Sequence, residues 1–151
     1  MKRKAYWVIT AVLVFNLLSG GLAELAQLRG NAEGMQALGY PVYMMTILGT
    51  WKVLGSIVML APGWLRLKEW AYAGAFFNMS GAAVSHAVVG DEAWHVYYTA
   101  ALAIITLISW ALRPESRTLA GPSSATRDKA LGYSPGRKPF ALLQPKQHAS
   151  S

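Results

Sequence analysis

Lys52 stands in the middle of a stretch, Val42 to Ala61, that is otherwise almost entirely apolar. An ammonium group costs about 3 kcal/mol to insert at the centre of a bilayer, so it needs a partner or a cavity. Residues able to meet it lie on two other apolar stretches. Asn16, Gly20 and Glu24 recur at spacing four on the first, beside Ser19 and Ala23. Gly74, Asn78, Ala82 and His86 do the same on the third, beside Gly81 and Ser85. Lys52 follows Trp51 and is flanked by Gly49, Gly55 and Ser56. Small residues on a helix face let backbones approach closely, so these faces are expected to meet at the centre of a bundle.

Depth follows from a rise of about 1.5 Å per residue: Asn16, Lys52 and Asn78 fall near the midplane, Glu24 and His86 in the outer quarter. By snorkelling, Lys52 extends its ammonium outward. A cluster of Glu24, Lys52 and His86 is therefore expected, open to the outer face. The carboxylate would keep Lys52 charged, and His86 would exchange protons or hydrogen-bond a ligand carbonyl. The candidate ligand-binding set is Lys52, Glu24, His86, Asn78, Asn16 and Trp51, with no catalytic residue assigned and no metal ligand expected. For Lys52 a ligand pocket and a purely structural ion pair both stay open. For Asn16 and Asn78 the simpler reading is interhelical hydrogen bonding. His86 and His95 flank one turn as paired haem ligands would, but the chain has no cysteine and so no CxxCH attachment motif, which disfavours haem.

The elements that must position these residues are four apolar stretches, 5–23, 42–61, 70–89 and 96–112. Each approaches the roughly twenty residues that cross a hydrocarbon core about 30 Å thick. Backbone amides in lipid must be paired internally, so the stretches are helices rather than strands. The balance of 54% hydrophobic and 14% charged residues is unusual for a soluble domain, and the first, third and fourth stretches lack the polar face of a soluble bundle. The predicted class is an all-α membrane protein with four transmembrane helices in a bundle spanning residues 1–113. A short surface helix over Ala32 to Leu38 and an interfacial turn from Trp64 to Glu69 are also expected.

Basic residues set the orientation. Lys2, Arg3, Lys4, Arg66, Lys68, Arg113 and Arg117 mark one side, whereas Glu24, Arg29, Glu33, Asp91 and Glu92 leave the other net negative. The positive-inside rule then puts both termini in the cytoplasm. Tyr6, Trp7, Trp64, Trp70 and Trp110 form the expected inner aromatic belt, and Tyr40, Tyr43, Trp94, Tyr97 and Tyr98 the outer one. Ala23 and Ala26 resemble a signal-peptide cleavage region, but retention of the first span satisfies every loop charge. A net charge of +7 is explained by the cytoplasmic flanks and anionic lipid, not by nucleic acid. The absence of cysteine removes thiolate and CxxC redox chemistry. Residues 114–151, rich in Ser, Pro, Gly, Lys and Arg, read as a disordered basic tail, with Arg127, Lys129, Arg137 and Lys138 as a weak lipid or partner contact.

The runs Leu38 to Tyr43, Ile47 to Gly55, Leu60 to Gly63 and Leu67 to Gly74, with Glu24 and the stretch Gly81 to His86, closely resemble the DoxX-like family of small membrane proteins. The resemblance covers Tyr6 to Arg113. It implies a multi-pass protein of the bacterial cytoplasmic membrane and supplies Trp51, Lys52 and Gly55 as motif residues. The family name derives from a subunit of an archaeal quinone-linked oxidase system. The resemblance therefore suggests an accessory subunit near quinone-dependent electron transfer, with quinone as the candidate ligand. A quinone-binding oxidoreductase and a small transporter are the alternatives. A transporter needs a polar path to the cytoplasm, and Ala73, Phe76 and Phe77 argue against one. The expected partners are the lipid bilayer and either another membrane protein or a second copy of the chain.

Overall fold

Apolar side chains leave backbone groups no water to bond, and every long apolar stretch folds as a helix. The computed structural model describes residues 2–119, which form α1 (Lys2–Leu25), α2 (Arg29–Ala37), α3 (Tyr43–Leu60), α4 (Leu65–Val89) and α5 (Ala93–Ala111), followed by a single 3-10 turn at Glu115–Arg117. There is no strand among the described residues. Helices α1, α3 and α5 are long and apolar enough to cross a membrane. The 25 residues of α4 include Arg66, Lys68 and Glu69 in its first turns. Most of the expected tail, including Arg127, Lys129, Arg137 and Lys138, lies outside the described residues.

Helix α2 starts at Arg29, earlier than the sequence suggested, and buries none of its residues. The expected interfacial turn from Trp64 to Glu69 is instead the start of α4. The chain reverses within Gly63 (φ +67°) and Trp64 (φ +48°), and Leu65 is already helical.

The four long helices pack in the cyclic order α1, α3, α4, α5, with the closest pairings between α1 and α3 and between α4 and α5. Leu13, Val14, Leu17, Met59, Tyr72, Ala75, Met79, Leu102 and Ala103 fill the middle. Nine of the ten aromatics expected in the belts are exposed, but Tyr6 is fully buried. Its place in the sequence, one turn before Thr10 and two before Leu13 and Val14, puts it on the core face of α1.

The last carbonyls of any helix have no partner within it, and cations favour that end. In α3 two cations supply the missing donors. Lys68, completely buried, donates to the Val58 carbonyl at 2.7 Å and to that of Ala61. Arg117 donates to Met59 at 3.0 Å and Leu60 at 3.3 Å, while its guanidinium lies 4.6 Å from the Trp7 ring centroid. Arg113 binds Glu69 at 2.7 Å and closes the α4/α5 seam at the same end.

Candidate functional site

The site begins with two glycines. A Cβ on Gly49 would lie 2.7 Å from the Gly21 carbonyl oxygen, and one on Gly21 would lie 2.9 Å from the Lys52 Cβ. Only glycine at both positions permits this approach of α1 to α3. It sets Lys52 at the level of Gly21, and Glu24 lies three residues, roughly 4.5 Å, further along α1. The lysine side chain covers that distance and its Nζ donates to Glu24 Oε1. Both side chains are largely buried, at 14% and 11% exposed. Glu24 Oε2 has no hydrogen-bond partner among the described residues. A lysine ammonium has three donors, and only the one to Glu24 is engaged here.

Beside this pair a cavity of about 640 Å³ runs along the seam between α3 and α4. Leu17, Leu48, Leu54, Val58, Leu67, Ala71 and Ala75 give it apolar walls. Lys52 and Asn78 supply its polar groups, both near the middle of their helices. Trp51 and Trp70, 69% and 79% exposed, stand at its rim, so it opens sideways, away from the core. Gly55 and Gly74 also line it, and a Cβ on either would meet nothing within 4 Å. These glycines make room rather than contact. Asn78 is half-buried and faces the cavity between its apolar walls.

Several expectations of the sequence therefore need correction. Gly20 and Gly81 have open space beside them, and the close approach belongs to Gly21, one position away. One residue on a helix is about 100° of rotation, enough to change the face. Asn16 lies away from the cavity: its side chain accepts from Tyr98 on α5 and donates to the Val12 carbonyl at 3.0 Å. His86 does not join Lys52 and Glu24. Its Nδ1 pairs with Asp91 Oδ2 at 2.6 Å, and His95 Nδ1 lies 3.1 Å from the same oxygen. The Asp91 carboxyl is held below the usual carboxylate range, chiefly by the Glu92 backbone N–H and then by His86.

A second polar group was missed altogether. Thr10 and Ser109 hydroxyls are 2.8 Å apart, Tyr72 and Ser109 hydroxyls 2.9 Å, and all are buried with Tyr6 near the α1 start. Leu13, Leu17, Met59, Met79 and Leu102 belong to the apolar core cluster that also contains Tyr72 of this group. The signal was present in the spacing of Tyr6 and Thr10 and of Thr106 and Ser109, each on a buried face.

Long apolar helices packed around a buried ion pair, with a cleft opening to the side, define a membrane-type helical protein with a candidate ligand cavity. The sequence model of the DoxX-like family matches residues 8–109, and the chain belongs to that family. No curated protein and no solved structure matches it.

Proposed function

We propose that this chain is a four-span protein of the bacterial cytoplasmic membrane, with both termini cytoplasmic, that holds an amphipathic ligand in the α3/α4 cavity. In this reading α4 is the fourth span. Its charged first turns are accommodated because Lys68 and Glu69 are engaged by α3 carbonyls and by Arg113 at the inner boundary. Lys2, Arg3, Lys4, Arg66 and Arg113 cluster at that end and support the orientation.

The observation that carries the ligand reading is a cavity of about 640 Å³ whose lining is apolar except for Lys52 and Asn78. Polar groups that face an apolar cavity favour a ligand that brings a hydrogen-bond acceptor to them. A ligand with a carbonyl or hydroxyl head and an apolar tail matches both parts of that lining. The cavity lies within the usual ligand-pocket range of about 300–1,000 Å³. Its side opening lets a long tail remain among lipid chains. An isoprenoid quinone meets these requirements: Asn78 and Lys52 donate to ring oxygens and Trp51 covers the opening. A noncatalytic accessory role fits a site whose polar groups are the hydrogen-bond donors of Lys52 and Asn78. Ala73, Phe76 and Phe77 on the inner half of α4 disfavour a transporter.

The test is mass spectrometry of lipids, quinones and proteins copurifying with the full chain in mild detergent, compared with Asn78→Leu. One quinone or lipid species enriched above the bulk membrane extract, and lost in the variant, is expected. Identical bulk-like profiles for both proteins would reject the ligand reading.

A further inference from the structure

The turn between α4 and α5 carries a cluster that the ligand cavity does not use. His86 ends α4, His95 lies in the first turns of α5, and Asp91 stands between them. The two imidazole rings stack at 5.2 Å between centroids with planes 20° apart. One ligand atom from each of the three residues lies within 4.8 Å of the others. The sequence reading saw the two histidines without the carboxylate, and so assigned no metal.

The geometry points to a divalent transition-metal site, of zinc type, formed by His86, Asp91 and His95. Imidazole and carboxylate are the ligand types that zinc accepts from N and O donors, with bonds of about 2.0–2.2 Å. Tetrahedral bonds of that length separate ligand atoms by about 3.4 Å. The observed 2.6 Å and 3.1 Å from Asp91 Oδ2 to the two Nδ1 atoms need only small side-chain rotations to reach it. Without metal, each Nδ1 must carry a proton to bond the shared oxygen. The metal takes the place of those protons, and the fourth position faces solvent.

The backbone around the cluster is already fixed. Gly90 adopts φ +70°, which turns the chain, and the Asp91 amide donates to the His86 carbonyl at 3.0 Å. The Glu92 amide donates to Asp91 Oδ1 at 2.7 Å, leaving Oδ2 aimed at the histidines. Such orienting hydrogen bonds are what metal-ligating carboxylates commonly have. A bound cation would tie the end of α4 to the start of α5, and nothing in this depends on the cavity or its ligand.

Zn²⁺ binding decides the matter. Tag-free, chelator-treated full-length protein in mild detergent is titrated with Zn²⁺ by calorimetry, alongside Asp91→Asn and the double variant His86→Ala/His95→Ala. The double variant retains His148, the remaining histidine of the chain, and so measures adventitious binding. One saturable site per wild-type chain is expected, weakened at least tenfold in Asp91→Asn and abolished in the double variant. Zn²⁺ should also raise the wild-type thermal transition while leaving that of the double variant unchanged. Asp91→Asn is nearly isosteric, so it remains informative if the double variant misfolds. No saturable site in the wild type, or unchanged affinity in either variant, overturns the inference.

Discussion

Replacing Lys52 by Met should be the most damaging single change at the centre of this protein. It leaves the Glu24 carboxylate with Oε1 stripped of its donor and Oε2 already without one, in a side chain 11% exposed. Breaking a buried pair from one side typically costs about 3–5 kcal/mol, because the surviving charge is left uncompensated. Glu24→Gln should cost less, since the amide oxygen still accepts from Lys52 and the lysine stem can carry its charge toward the headgroups. The double variant Lys52→Met/Glu24→Gln removes both charges and should recover much of the loss. The assay is unfolding of all four proteins by SDS in mixed micelles, arranged as a double-mutant cycle. A coupling energy of about 2 kcal/mol or more is expected from so close a pair. Strictly additive effects would refute the reasoning and would mean that Lys52 is stabilised by water alone.

Two further predictions separate the roles of the glycines and the orientation of the chain. Gly49→Ala should destabilise by about 1–3 kcal/mol through overpacking against the Gly21 backbone, whereas Gly55→Ala should be neutral or stabilising by up to about 1 kcal/mol; equal effects in the SDS assay would contradict the assigned packing. A reporter active only in the cytoplasm should work when fused after Thr118 and stay silent when inserted beside Asp91, and the reverse pair of results would overturn the orientation.

The parts of the fold legible in the sequence were those set by local rules. Apolar length placed the long helices, a short surface helix was expected where α2 lies, and an apolar run containing one lysine pointed to a partner that proved to be Glu24. What escaped depended on helix rotation and on contacts distant in sequence. Gly20 and Gly21 are indistinguishable as small residues, yet only Gly21 faces α3. Gly55 and Gly74 fit a close-packing pattern, but the seam they share is held apart, so the same small side chains leave a cavity. Lys68 was counted as a topological charge, and its use by the α3 carbonyls depends on a chain reversal at Trp64 that no spacing reveals. His86 was assigned by helical spacing to the wrong neighbours because Asp91 reaches it around the turn rather than along the helix.

The most direct measurement is native mass spectrometry of the full chain released from mild detergent, comparing wild type with Gly55→Leu/Gly74→Leu. Both Cβ positions open onto free space, so the two leucines fill the cavity from opposite walls without disturbing the α1/α3 contact. The wild type should carry one amphipathic molecule of defined mass, and the filled variant should be folded and lack it. Retention of that molecule by a folded variant, or a wild type that carries none, would contradict the cavity as the binding site.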